Sequence, residues 1–158
     1  MDSLKGSILE FLESTPKRSF VLYPIVVIVF ELLIHDGHLN FVIWGVPLLI
    51  WGYGQYRLMR GYRGRLGGGG PGLQAQPDHI VDTGPYAYTR NPMYLGHLIF
   101  MTGLAITFQS WLALIILLVN IPWFHKRVLG DEVKLEKRFG AEYVAYKARV
   151  KRWIPYVV

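Results

Sequence analysis

Apolar residues gather in four runs, each close to the length a bilayer demands, at residues 19–34, 39–59, 92–108 and 111–129. A hydrocarbon core about 30 Å thick is crossed by roughly 20 helical residues. The pattern predicts an all-α chain, an integral membrane bundle of about four transmembrane helices. A helix of a soluble bundle keeps a polar stripe at helical spacing, and residues 111–119 have none. Before the first run, residues 1–18 read as an N-terminal interfacial segment, with Ile8, Leu9, Phe11 and Leu12 as its apolar side. Pro24 and Glu31 inside that run argue against a cleaved signal peptide.

After the fourth run the periodicity changes. Leu135, Phe139, Tyr143, Tyr146 and Val150 recur at spacings of 4, 4, 3 and 4. That spacing predicts a C-terminal amphipathic interfacial helix within residues 130–158, with Gly140 placed to interrupt it. Trp153-Ile154-Pro155-Tyr156 should close the chain at the membrane surface.

The connections are unequal. Asp36-Gly37 and Gln109-Ser110 mark tight hairpins, whereas residues 60–91 form a long loop. Its glycine run, 67–70, has no strand before it, so it reads as a linker and not as a phosphate cradle. Residues 78–91 (DHIVDTGPYAYTRN) mix turn chemistry with aromatics and run straight into the third helix. Asn91 suits the N-cap and Pro92 the first helical position. Gly45, Gly52 and Gly54 let the second helix approach a neighbour closely. Pro122 should kink the fourth helix.

Composition adds little to the fold but fixes the orientation. The chain has 158 residues, 52% hydrophobic, and no cysteine, which excludes disulfides, thiolate metal sites and cysteine nucleophiles. Its net charge is +6. All 17 Lys and Arg lie before the first run, from Arg57 at the end of the second run to Arg90, or from Lys126 onward. Basic residues concentrate in cytoplasmic loops. Both termini and the 60–91 loop are therefore expected on the cytoplasmic side of a multi-pass protein, in contact with anionic membrane lipids. A nucleic-acid partner is not expected, and no four donors sit at a metal-binding spacing.

Two clusters at the expected cytoplasmic surface combine acids, arginines and tyrosines. One holds Tyr86, Tyr88, Arg90, Asn91, Tyr94 and His97. The other holds Arg127, Asp131, Glu132 and Glu136, followed by Tyr143, Tyr146 and Arg149. Arg90-Asn91-Pro92-Met93-Tyr94-Leu95-Gly96 resembles the R-[HN]-P-x-Y-x-G signature of the isoprenylcysteine carboxyl methyltransferase and phospholipid methyltransferase superfamily. Asp131-Glu132-Val133-Lys134-Leu135, then Phe139-Gly140-Ala141-Glu142-Tyr143 and Tyr146, resembles its second signature. The resemblance covers about half the chain, residues 78–155.

The resemblance implies a membrane-embedded enzyme that uses S-adenosyl-L-methionine to methylate a lipophilic or lipid-modified acceptor. Carried over position by position, it implies cofactor contacts at Asp78, His79, Ile80, Val81, Tyr86, Arg90, Asn91, Pro92, Met93 and Tyr94. The acidic pair, Asp131 and Glu132, would supply a carboxylate to the cofactor's amino group. Arg127 matches an arginine near the substrate carboxylate. An ionised carboxylate or thiolate acceptor needs no base; an amine or hydroxyl would, and His97, Tyr94 and Glu132 are the candidates. Asp131 stands where the family has glutamate, and Asn91 where the eukaryotic prenylcysteine enzymes have histidine. Two other readings are an NADPH-dependent membrane reductase related to sterol reductases and a non-catalytic membrane scaffold.

Overall fold

A computed structural model describes residues 11, 13–68 and 77–154. The interfacial segment expected within residues 1–18 lies mostly outside them, as do residues 69–70 of the glycine linker and Pro155-Tyr156. The described residues are helical, with one isolated parallel bridge between Thr89 and Lys151. A short α-turn, Thr15–Lys17, passes through a π-helical stretch, Arg18–Leu22, into α1, Tyr23–Ile34. A 3-10 turn, Ile43–Gly45, opens α2, Val46–Gly67. A second 3-10 turn, Gly84–Ala87, precedes α3, Pro92–Phe108. Then follow α4, Trp111–Phe139, and α5, Ala141–Arg149.

Helix α3 has the bounds its apolar run predicts. Helix α2 does not: it starts at Val46 and continues to Gly67, into the stretch expected to be loop. Pro47 suits the first turn of a helix, where a missing N–H costs nothing, which places the start later than hydropathy alone does. Helix α4 likewise continues past residue 129 to Phe139, with Pro122 inside it. The amphipathic C-terminal segment is therefore split between the end of α4 and α5. Gly140 separates them at φ 56° and ψ −129°, a backbone conformation that L side chains rarely adopt.

Among the described residues, α4 is the one helix both long and apolar enough to cross a membrane, and α3 is apolar but shorter. Backbone contacts divide the chain into two units, Met1–Tyr53 with His97–Val119, and Gly54–Gly96 with Asn120–Val158.

In the first unit, Val27, Leu104, Phe108 and Ala113 form the core, with Tyr23, Ile28, Leu49 and Ile116 against it. Two glycines set its closest approach. A methyl added at Gly45 would lie 2.6 Å from the Gly103 carbonyl oxygen, and one at Gly103 would lie 2.7 Å from the Leu49 nitrogen. The close packing expected of the second run's small residues thus falls on Gly45; Gly54 has nothing within 4 Å. Val21 of the π-helical stretch and Ile25, Val29 and Leu33 of α1 are exposed. Spacings of four place them along one apolar stripe.

In the second unit, Tyr143, Tyr146 and Val150 form a core with Ile80, Leu135 and Phe139. Ion pairs hold the 77–91 loop to the C-terminal helices, Arg138 to Asp78 and Arg149 to Asp82, each at 2.9 Å. Trp153 donates its indole N–H to His125 Nδ1 at 3.3 Å.

Candidate functional site

The site begins where the loop meets the N-terminus of α3. The Asn91 carbonyl accepts the first helical bond from Leu95 N–H, so Asn91 takes the N-cap position the sequence assigns it. Its side chain is used elsewhere: Asn91 Nδ2 donates to the Arg152 carbonyl at 3.1 Å, and Thr89 Oγ1 donates to the same oxygen at 3.1 Å. Arg90 N–H donates to the Lys151 carbonyl. Residues 89–91 thus lie along residues 151–152, and the two sequence clusters, distant in the chain, come together. Gln55, from α2, caps the arrangement by donating to the Pro92 carbonyl at 2.9 Å.

Behind this strap lies a cavity of about 390 Å³ in the second unit. Ligand pockets for small molecules run from about 300 to 1,000 Å³, so it takes a molecule of nucleoside size. Of the residues expected to bind cofactor, Ile80, Val81, Tyr86, Arg90, Asn91, Met93, Tyr94, Asp131 and Glu132 line it, and so does Arg127. Asp78 and His79 do not; both are exposed, and Asp78 pairs with Arg138. Pro92 is buried beside the cavity without lining it.

His97 belongs to the first unit and is absent from the cavity wall. One turn deeper into α3 than Tyr94, its buried ring stacks on Phe20 of the π-helical stretch, with centroids 4.6 Å apart. Tyr53 and Phe100 meet the edges of the same Phe20 ring.

The acidic pair has two different environments. Glu132 is buried, forms an ion pair with Arg90 Nη2 at 2.9 Å and accepts from both Nε and Nη2 of Arg152, at 3.0 and 2.8 Å. The paired carboxylate holds the Arg152 guanidinium in its charged form, above its ordinary pKa. Arg90 Nη1 donates onward to the Lys147 carbonyl at 3.1 Å. Asp131 is half-buried and accepts the Tyr94 hydroxyl at 2.7 Å. Tyr94 in turn meets Phe124 edge-on. Arg127 lies over the Trp123 ring, 5.9 Å from its centroid.

Tyr86 stacks on Tyr62, and its carbonyl accepts the Tyr146 hydroxyl at 2.7 Å. Burial raises the pKa of Tyr86, Tyr143 and Tyr146, all of which line the cavity, above the usual phenol range. The Tyr86 hydroxyl and Arg127 Nε are buried without a hydrogen-bond partner. Orphaned polar atoms in a cavity wall are costly unless a ligand or water satisfies them. The residues present therefore fit an adenosyl amino acid: phenols and apolar surface for the nucleoside, an accessible acid for an ammonium, an arginine for a carboxylate.

Arg63, Pro77, Val128, Lys134, Leu135, Tyr143 and Tyr146 complete the wall outside the expected binding set. Tyr143 and Tyr146 belong to the second cluster singled out in the sequence, and they are also core. Arg63 carries no local signal; only the extension of α2 beyond residue 59 brings it there.

Protein-S-isoprenylcysteine O-methyltransferase of Saccharomyces cerevisiae is 33% identical over 84 residues, 52% of this chain and 35% of that protein. The enzyme of the same name from Schizosaccharomyces pombe is 33% identical over 82 residues, 51% of this chain and 35% of its own length. Protein-S-isoprenylcysteine O-methyltransferase B of Arabidopsis thaliana is 32% identical over 79 residues, 49% of this chain and 40% of that one. The chain thus spans little more than a third of the length of these curated relatives. A family model for phospholipid methyltransferases matches residues 41–142, well over half of the sequence and both edges of the cavity, and the chain belongs to that family.

Proposed function

We propose that this protein is a membrane-embedded methyltransferase that uses S-adenosyl-L-methionine to methylate a lipophilic acceptor presenting an ionised oxygen. The observation that carries this reading is one cavity walled by both Tyr86–Tyr94 and Arg127–Glu132, with an unpartnered phenol and an unpartnered guanidinium nitrogen in its lining. When bound, the cofactor supplies a methyl group on a sulfonium, open to in-line displacement. For such a reaction, positioning and exclusion of water supply much of the rate.

The protein's residues then divide the work. Asp131 receives the ammonium and Arg127 the carboxylate of the amino-acid end. Ile80, Val81 and Met93 offer apolar surface to the nucleoside, and the Tyr86 hydroxyl donates to it. Tyr94 orients Asp131 through its 2.7 Å bond. None of the candidate bases is available to take a proton from an amine or hydroxyl acceptor. Glu132 is held by two arginines, the Tyr94 hydroxyl is engaged with Asp131, and His97 lies outside the cavity. Arg63, Arg127 and Lys134 bring positive charge to the wall, which suits an anionic acceptor that arrives with its own lone pair. A carboxylate on a lipid-modified molecule has that chemistry, and the yeast and plant relatives are named for O-methylation of isoprenylcysteine.

The membrane arrangement belongs to the same proposal. Four helices, α1 with its π-helical lead, α2, α3 and α4, cross the bilayer, with both termini and the loop before α3 in the cytoplasm. The length of α4, the exposed apolar stripe of α1 and the confinement of Lys and Arg to three segments support it.

The test is purified protein in lipid nanodiscs given cofactor with a labelled methyl group and a membrane lipid extract, the products read by mass spectrometry. Label in a base-labile methyl ester is expected. Label in an N-methylated headgroup would overturn the acceptor class, and failure to bind S-adenosylhomocysteine would overturn the enzyme reading.

A further inference from the structure

The two carboxylates of the acidic pair are neighbours in sequence and both line the cavity, yet only one of them has anything left to offer a ligand. Glu132 is 6% exposed, accepts two N–H donors from Arg152 and forms an ion pair with Arg90 at 2.9 Å. An incoming ammonium would have to displace part of a bidentate arginine fork, giving up a charge-assisted bond for each one it made. Asp131 has a side chain 27% exposed, and one oxygen already takes the Tyr94 hydroxyl. Its other oxygen faces Lys134 Nζ at 4.0 Å, beyond hydrogen-bond range. It can accept an ammonium without losing a bond.

The arginines that hold Glu132 are tied in turn to the cavity wall. Arg90 sits in the strap between Thr89 and Asn91, and the carbonyl of Arg152 accepts from both of those residues. Loss of the Glu132 charge leaves two cations, side chains 9% and 27% exposed, facing one another without compensation. The strap is what would move.

Resting on the methyltransferase reading, we propose that the pair divides its roles: Asp131 is the binding carboxylate for the cofactor's ammonium, and Glu132 is a positioning residue that acts on the ligand only by holding Arg90, Arg152 and the 89–91 strap.

Two probes separate these roles, S-adenosylhomocysteine and 5′-deoxy-5′-methylthioadenosine, which keeps the nucleoside thioether but lacks the amino-acid end. Affinities are measured by calorimetry on the full chain in nanodiscs, with a melting curve for each variant. Asp131→Asn is expected to weaken S-adenosylhomocysteine about tenfold or more and to leave methylthioadenosine within about twofold. Glu132→Gln is expected to weaken both probes by the same factor. Arg152→Lys, which keeps the charge but removes the fork, should weaken both by a smaller common factor, and it carries the test if Glu132→Gln does not fold. Adding Arg152→Met to Glu132→Gln removes one uncompensated cation and should recover part of the lost affinity, which a general loss of folded protein would not do. Selective loss of S-adenosylhomocysteine in Glu132→Gln, equal loss in Asp131→Asn, or no recovery in the double variant overturns this assignment alone. If the unaltered protein binds neither probe, the methyltransferase reading falls and the assignment with it.

Discussion

The Tyr94 hydroxyl donates to Asp131 Oδ2 at 2.7 Å across 37 residues of sequence, joining the two motifs inside one cavity. Removing that hydroxyl while keeping the ring tests its contribution. Tyr94→Phe preserves the edge contact with Phe124 but leaves Asp131 free to turn toward solvent. Weakening of S-adenosylhomocysteine by about 0.5–1.5 kcal/mol is expected, the worth of one hydrogen bond. Unchanged affinity by calorimetry would show that Asp131 does not need the phenol.

The glycine contact in the first unit makes a steric prediction with an internal control. Gly45→Ala and Gly103→Ala each drive a methyl into backbone atoms of the neighbouring segment. Backbone gives way less readily than a side chain, so a loss of about 1–3 kcal/mol is expected in each. Gly54→Ala, with open space around it, should be neutral or gain about 0.5–1 kcal/mol from helix propensity. Unfolding midpoints in a mild detergent read all three.

Three buried tyrosines set the behaviour in alkali. Tyr86, Tyr143 and Tyr146 have pKa values raised by burial above the ordinary 10.0. Above pH 10 the unfolded chain loses these protons first, so it binds fewer protons than the folded one. Stability is then fully present below pH 10 and falls as pH rises beyond it. Melting temperatures between pH 8 and 11.5 should show that fall, and Tyr146→Phe should make it shallower. At neutral pH the same variant costs about 1–3 kcal/mol, because the buried Tyr86 carbonyl loses its donor.

Topology can be read chemically because the chain has no cysteine of its own. Single substitutions His38→Cys and Gln109→Cys should react with a membrane-impermeant maleimide added to intact cells. Arg65→Cys and Lys137→Cys should react only after lysis. Labelling of all four from one side would contradict the four-span arrangement.

The apolar runs made the helices legible, and Asn91-Pro92 marked where α3 begins because a cap and a proline have few other uses together. The limits of α2 and α4 were not legible. Hydropathy stops at the last apolar residue, whereas a helix continues while its backbone bonds are satisfied, and Leu58-Met59-Arg60 and Lys134–Arg138 favour it even though Gly61 and Gly64 do not. The meeting of the two clusters was foreseeable from the motifs, but the unequal fates of Asp131 and Glu132 were not. Those depend on Arg152, which sits near the end of the 78–155 resemblance and carries no local signal of its partner. His97 misleads for the opposite reason: its spacing from Met93 puts it on the right side of the helix, and Phe20, far away in sequence, stacks on its ring.

Three of the contacts that fasten the strap end on peptide oxygens of Lys151 and Arg152, where side-chain identity is irrelevant. What the tail must preserve is its count of residues after the bend at Gly140. Losing or gaining one residue between 141 and 150 would present the wrong carbonyls to Thr89, Arg90 and Asn91 at once. Single-residue length changes there should therefore be tolerated far less than substitutions at its exposed positions.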